Sequence, residues 1–436
     1  MPAAPSGRGY DMTAVTDAPK DAFRLSMLIY DTRYRSMTIQ IVVLLLFMAG
    51  AAWLVDNIVR NLQTLGKDFS FDFLWYRAGY DINQTLIPYT NDSTHGRALF
   101  VGLVNTILVS VMGCVAATII GVFVGILRLS KNWLVGRIMT VYVETFRNVP
   151  LLLWILVALA VFTEITPAPN QFRVTEQMIA EGTEPEATMS FFDSIAITNR
   201  GTYVPAPEVS RSLGSFTVLD VPISLNVLAF LAAVAIAVLG YRAIRASASR
   251  VQEATGVRPV TWWKSLLMLL VLPVGLLVAL GFHLSYPELA GFNFKGGINV
   301  SNALMSLWLA LTLYTAAFIA EIVRAGIMAI SKGQTEAAFA LGLRPGRTMN
   351  LIILPQALRV IIPPLISQYL NLMKNSSLAI AVSYMDLRGT LGGITLNQTG
   401  RELECILLMM LIYLALSLLI SSAMNVYNNA VKLKER

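Results

Sequence analysis

Few residues in this chain are equipped for chemistry, and they are widely scattered. The histidines are His95 and His283, and the cysteines are Cys114 and Cys405. A structural zinc site usually takes about four ligands, so two histidines predict no metal centre. Both cysteines lie inside apolar runs, which predicts packing residues and not a disulfide or metal pair. No G-x-x-x-x-G-K-[ST] phosphate loop occurs. The nearest string, Gly66-Lys67-Asp68, lacks the leading glycine and the hydroxyl, which excludes ATP binding by that route. A membrane-embedded enzyme would need clustered acids, histidines or cysteines, and these are scarce.

The remaining candidates are charged and polar residues placed along apolar segments. Glu144 and Arg147, and likewise Glu321 and Arg324, stand at i,i+3 spacing, so each pair can meet along one helix face. They are expected near helix ends, where snorkelling lowers the cost of charge. Each pair is either a gating contact that rearranges between helices or a static structural pair. The run Lys374-Asn375-Ser376-Ser377 follows Pro363-Pro364 by about three helical turns. The two prolines are expected to interrupt their span, and broken helices present backbone groups to a polar solute. On one reading Asn375, Ser376 and Ser377 line a translocation path and Lys374 favours anionic side chains. On the other they form a polar helix end with a snorkelling lysine.

The elements that position these residues are membrane helices. The chain is 56% hydrophobic and 14% charged, with mean hydropathy +0.63, whereas soluble domains carry about 25% charged residues. A membrane helix needs about 20 mostly apolar residues. The hydropathy pattern predicts spans near 38–58, 98–127, 138–162, 222–241, 263–283, 301–325, 352–373 and 404–425, the third interrupted by Pro150. Residues 1–31 read as a disordered Pro/Ala/Asp-rich tail without a removable signal peptide, and the first span as a retained anchor.

The net charge of +7 has its place in this topology, because Lys and Arg concentrate in cytoplasmic loops. Arg33 and Arg35 precede the first span. Arg128, Lys131 and Arg137 follow the second, and Arg242, Arg245, Arg250, Arg258 and Lys264 follow the fourth. Lys332, Arg344 and Arg347 follow the sixth, and Lys432, Lys434 and Arg436 close the chain. Alternating spans place all of them, and both termini, in the cytoplasm. The long segment 163–220 opposes them with Glu164, Glu176, Glu181, Glu184, Glu186, Asp193, Glu208 and Asp220. It also holds Phe191-Phe192 and Tyr203-Val204-Pro205 and is expected to be partly ordered, either contacting a soluble protein or forming a cap. The loop between the first two spans departs from the rule, with Arg60, Lys67, Arg77 and Arg97 on the outer side.

Between the sixth and seventh spans the chain reads Ser331-Lys332-Gly333-Gln334-Thr335-Glu336-Ala337-Ala338-Phe339-Ala340-Leu341-Gly342-Leu343-Arg344-Pro345. A short helix Glu336–Leu341 is expected, started by Gln334 or Thr335, with Glu336 at its positive end. Gly342 should end it in a left-handed conformation, and Pro345 suits the start of a second short helix. Ala337, Ala338 and Ala340 would let a partner surface approach closely.

This loop resembles the E-A-A-x3-G-x9-I-x-L-P loop of binding-protein-dependent ABC importer permeases, matching at Glu336, Ala337, Ala338, Gly342, Ile352, Leu354 and Pro355. Further strings resemble the polar amino acid subfamily: Gly102-Leu103-Val104-Asn105-Thr106, the run Tyr142 to Pro150, the run Ala320 to Gly326, Leu354-Pro355-Gln356-Ala357, and Asn371 to Leu378. Within it the chain is most similar to permeases of general L-amino acid and glutamate/glutamine/aspartate/asparagine importers. The resemblance implies an all-α membrane protein of about eight transmembrane helices with a five-helix type I importer core.

The implied organisation is a cytoplasmic tail at 1–36, then an extra helix and periplasmic loop at 37–97. The transport domain covers 98–425, interrupted by an insertion at 163–300 and carrying the coupling loop at 331–350. The resemblance implies that Glu336, Ala337, Ala338, Gly342, Leu354 and Pro355 couple the chain to an ATPase. It implies two ATPase subunits holding ATP and Mg, a homologous permease in a heterodimer, a periplasmic amino-acid-binding protein, and no cofactor on this chain. The implied location is the bacterial inner membrane. An ion-coupled secondary transporter is the alternative. It would call for inverted repeats and mid-membrane carboxylates, for which Glu404 is a candidate at the end of its span.

Overall fold

The computed structural model describes residues 27–431 apart from 65, 67, 175–177, 179, 181, 184 and 219–220. The expected tail therefore lies outside the described residues as far as 26, as do Lys67, Glu176, Glu181, Glu184, Asp220, Lys432, Lys434 and Arg436. Among the described residues seven helices are long and apolar enough to cross a membrane, and a bent pair brings the number to eight if it crosses as one span.

The chain divides into two units at Ser70/Phe71. The first holds helix α1 (Thr32–Thr64), preceded by a helical turn Met27–Tyr30. The helix is longer than the predicted 38–58, because intrahelical hydrogen bonds satisfy the backbone in water as well as in lipid. Leu44, Leu45, Leu46 and Phe47 are all exposed, so the helix is apolar around its circumference, as a lipid-facing span should be. The region expected at 37–97 spans the boundary between the two units. Residues from Phe71 belong to the second unit, where Phe73 packs with Leu387, Leu391 and Cys405, and Ala78 and Ile82 with Ala98 and Val101.

The second unit is built on α2 (His95–Leu127) and α7 (Asn302–Met328). Gly121 and Gly125 let the backbones approach. A Cβ at Gly121 would lie 2.6 Å from the Ile319 Cβ, and one at Gly125 would lie 2.7 Å from the Ala320 carbonyl. Small residues at such a seam are the usual device of membrane bundles, where dispersion replaces the hydrophobic effect. Val109, Leu307, Leu311, Ile319 and Leu372 are fully buried around it.

The predicted third span is two helices, α3 (Trp133–Asn148) and α4 (Leu151–Ala160), meeting at 106°. Pro150 causes the bend: it has no N–H to donate, and it holds Val149 extended at φ −101°, ψ 135°. The segment that follows α4 and the segment that leads into α7 are not purely helical. Nine short strands occur among the described residues: β1 (Ala196–Thr198), β2 (Gly201–Val204), β3 (Ala206–Val209), β4 (Ser215–Val218), β5 (Val221–Ser224), β6 (Phe282–Ser285), β7 (Glu288–Ala290), β8 (Asn293–Lys295) and β9 (Ile298–Val300). They pair antiparallel as β1-β2-β9, β3-β6, β4-β5 and β7-β8. Phe172, Ala196, Tyr203 and Phe294 form their small core. The Asn302 amide donates to the carbonyls of Thr198 (3.3 Å) and Asn199 (2.8 Å), tying this cap to the head of α7. Between the cap segments run α5 (Leu225–Thr255) and α6 (Trp262–Ala279), which pack on each other. α5 continues well past the predicted end at 241, since its Arg, Ala, Gln and Glu residues are good helix formers in water.

The seam predicts a sharp asymmetry between glycines. Gly121→Val should destabilise the purified chain by about 1–3 kcal/mol through overpacking. Gly275→Val, on a helix face with nothing within 4 Å, should leave it unchanged. Thermal unfolding in detergent checks this, and equal melting of the two variants would contradict it.

Candidate functional site

The loop after α7 folds as helix α8 (Lys332–Ala340), one turn earlier than the predicted Glu336–Leu341. Ser331 starts it with extended dihedrals (φ −61°, ψ 141°), so Glu336 sits mid-helix and the expected placement at the positive end is corrected. The far end is as the sequence suggests. Gly342 adopts φ +73°, its N–H bonds the Phe339 carbonyl (2.9 Å), and Leu343 N–H bonds the Ala338 carbonyl (3.1 Å). That paired closure is a Schellman cap, which strongly favours glycine at the left-handed position. Arg344 is extended ahead of Pro345, which opens a one-turn helix Pro345–Thr348. After a π-helical segment Met349–Ile353, helix α9 runs Leu354–Asn375, with Leu354 and Pro355 in its first turn.

Glu336 and Ala337 are exposed, whereas Ala338 is buried within the chain and so offers nothing to a partner. The apolar side chains that do face outward are Phe339 and Leu341, the latter 80% exposed. Gln356 donates to Gln334 at 3.4 Å, joining the head of α9 to α8. The presented surface is thus an exposed ridge that follows α7 and whose first turn is also tied to the head of α9.

The prolines do not break α9. It runs continuously through Pro363 and Pro364, and the change of helix type comes at Ser376, where a 3-10 segment Ser376–Val382 begins. Neighbouring helices stabilise proline inside membrane helices. Lys374 is exposed, Asn375 and Ser377 are half-buried and Ser376 is buried. The Ser376 hydroxyl donates to the Met373 carbonyl and the Ser377 hydroxyl to the Lys374 carbonyl, both at 2.7 Å. Their donors are spent on their own backbone, and Ser376 is enclosed, which leaves the Ser377 oxygen and the amide of Asn375 for a solute. About 33 Å of α9 separates this run from Leu354.

Of the two predicted ion pairs one forms. Arg324 Nη2 meets Glu321 Oε1 at 2.5 Å, and Arg128 at the end of α2 contacts the other carboxylate oxygen. Arg128 was legible in the sequence only as a topology marker; its bond to Glu321 depends on the α2–α7 seam. Arg147 instead lies 5.4 Å from the centre of the Phe318 ring, and Glu144 accepts from Asn148 at 3.5 Å. No ion pair joins Glu144 to Arg147, because α3 turns Arg147 toward the aromatic face of α7.

A further cluster was not apparent in the sequence. Asp386, fully buried, accepts from Gly389 N–H (2.8 Å) and from the Tyr413 hydroxyl (3.4 Å). Beside it Asn105 donates to the carbonyls of Met385 (2.9 Å) and Gln84 (2.8 Å), and Leu387 N–H bonds Thr106 Oγ1 at 3.0 Å. These bonds fix the chain's return from α9 to α10 (Glu402–Val431) against the head of α2. The Asn105-Thr106 string marked the region, but no local pattern named Asp386.

Burial pushes the Asp386 carboxyl up to about 7, against the pull of Gly389 N–H, the Tyr413 hydroxyl and Arg388. With a folded pKa above the unfolded one, the stability contribution is complete below the usual carboxylate range. It declines as pH rises toward about 7 and is lost above it. Asp386→Asn keeps the helix cap and should flatten that decline. Thermal unfolding at several pH values measures it, and an unaltered pH profile in the variant would contradict the assignment.

Comparison with known proteins agrees with this geometry. Residues 117–432 match the family described as binding-protein-dependent transport system inner membrane component. The chain is 66% identical over 426 residues to the glutamate/glutamine/aspartate/asparagine transport system permease protein BztB of Rhodobacter capsulatus, covering 98% of this chain and 100% of that one. It is 41% identical to the general L-amino acid transport system permease protein AapQ of Rhizobium johnstonii, over 95% and 96% of the two chains. It is 40% identical to the putative amino-acid ABC transporter permease protein YhdX of Escherichia coli, over 92% and 95%. A family match across most of the chain, on a bundle of membrane helices, shows that this chain belongs to the inner membrane components of binding-protein-dependent transport systems and is the permease, not the ATPase.

Proposed function

We propose that this permease moves polar L-amino acids from periplasm to cytoplasm, with glutamate, glutamine, aspartate and asparagine as its cargo class. The observation that carries the reading is full-length identity of 66% to a permease named for those four amino acids. ATP and Mg would be held by two separate ATPase chains, a related permease would complete the membrane pair, and a periplasmic binding protein would deliver substrate. Both termini are assigned to the cytoplasm by the Lys/Arg bias of the loops.

In this mechanism the exposed ridge of α8, including Glu336 and Ala337, docks on an ATPase. Closure of the ATPase pair displaces α8, and the Schellman cap at Gly342 transmits the shift through Leu354 and Pro355 into α9. α9 carries the movement to the polar run at Lys374–Ser377, where the path opens to one side or the other. Glu321, clamped between Arg128 and Arg324, keeps α2 and α7 together as the switch occurs. Lys374 adds positive charge beside the path and favours acidic side chains.

Co-reconstitution with the two ATPases, a partner permease and a binding protein tests the reading. ATP turnover should rise with glutamate, glutamine, aspartate or asparagine; uptake driven by an ion gradient without the ATPase would establish the secondary-transporter alternative instead. Gly342→Asp should abolish coupled uptake while membrane insertion persists, and normal uptake in that variant would contradict the role of α8. Lys374→Gln with Ser377→Ala should lower glutamate uptake relative to glutamine, and unchanged selectivity would remove these residues from the path.

A further inference from the structure

The α5–α6 pair carries charge that the transport mechanism leaves unused. Gly240 on α5 lies directly against the Met268 side chain on α6. In an antiparallel pair this contact sets Trp262, Trp263 and Lys264 level with residues 244–246, beside Arg242 and Arg245. α6 has 18 residues, about enough to cross the hydrocarbon and no more, so its first turn marks a membrane boundary. α5 has 31 residues, roughly 46 Å of helix against about 30 Å of hydrocarbon. Its last turns, and the connector to Thr261, therefore stand at or beyond that boundary.

This end holds Arg242, Arg245, Arg250, Arg258 and Lys264 against the single acid Glu253. All five cations are exposed, and among the described residues none forms an ion pair. A merely solvated basic face would not carry large apolar groups, yet Trp262, Val257 and Val260 are each 70% exposed or more, and Trp263 is exposed beside them. Arg245 lies 5.5 Å from the centre of the Tyr241 ring and Lys264 5.3 Å from that of Trp263, so charge and ring are presented together. Tryptophan prefers the headgroup level of a bilayer, and clustered cations just outside a span attract anionic lipid. Arginine adds a planar fork that matches a phosphate in two bonds.

We propose that the basic, tryptophan-bearing end of the α5–α6 pair binds the phosphates of anionic phospholipid headgroups, with Trp262 and Trp263 seated at the acyl boundary. The occupant is membrane lipid and not the ATPase, because Arg242, Arg245 and Lys264 share one level with the rings that mark the bilayer surface, with Arg250 and Arg258 just beyond it. The inference needs neither the cargo nor the orientation assigned above.

Tryptophan quenching by brominated lipids tests it on the full chain in bilayers. The probes are brominated phosphatidylglycerol and brominated phosphatidylcholine at equal mole fraction, and the site's signal is the part removed by Trp262→Phe with Trp263→Phe. Quenching of that part should be about twofold or more greater with the anionic lipid. The excess should vanish in the variant with all five cations changed to Gln, and should shrink at high salt in the unaltered chain. Should the fivefold variant fail to fold, Arg250→Gln with Arg258→Gln, outside the helix–helix contact, should still reduce the excess. Equal quenching by the two lipids would overturn the proposal, as would an excess indifferent to salt and to both charge variants. Equal quenching with ATPase binding lost in the fivefold variant would reassign the surface to protein docking.

Discussion

The close approach of α2 to α7 is the constraint on which the second unit depends. Gly121 and Gly125 remove the side chains that would separate the two helices, and Ile319, Ala320 and Val323 fill the space. Once the backbones touch, Arg128 is brought to Glu321, and the carboxylate is shared between helices as well as along one. α3 then packs against both helices, Val143 meeting Val124, Ala317 and Ala320, with the Tyr142 hydroxyl donating to the Leu313 carbonyl at 2.7 Å and Arg147 on Phe318. A lipid environment offers no hydrophobic drive between helices, so small residues and these few polar bonds decide the arrangement.

The same helix that anchors the bundle leads directly into the loop proposed to meet the ATPase. α7 ends at Met328 and α8 begins at Lys332, so little chain is available to absorb a displacement. At the other end of α8 the left-handed glycine turn and Pro345 leave an equally short path into α9. A ridge with such short connections at both ends suits the proposed transfer of motion. At the opposite end of the bundle the buried Asp386 and Asn105 fix the return from α9 to α10, giving the proposed movement something rigid to work against.

Much of this was legible in the sequence, and the failures have physical causes. Apolar length sets a span, so the eight segments were readable; their ends were not, because a helix continues past the hydrocarbon wherever residues such as those from Arg242 to Thr255 favour it. Gly342 was readable because only its backbone mattered. Ala338 turns inward while Ala337 and Phe339 face outward, since residue spacing orders the faces of α8 without saying which one packs on the chain. Pro150 and Pro363-Pro364 look alike in sequence, yet only at the first is the helix broken; α9 continues through the second. Arg128, Arg147 and Asp386 find their partners through tertiary contacts across long stretches of chain, which no local spacing records. The β cap was foreseen only as partial order, its strands being too short to show alternation.

The central claim is that the outward ridge of α8 is the surface an ATPase grips. Leu341→Cys gives the most direct measurement, because Cys405 is buried, Cys114 is only partly exposed, and Leu341 is 80% exposed. Labelling with a bulky water-soluble maleimide should be fast in the isolated permease and strongly slowed when the ATPase chain is bound. Equal labelling rates with and without the bound ATPase would contradict the account.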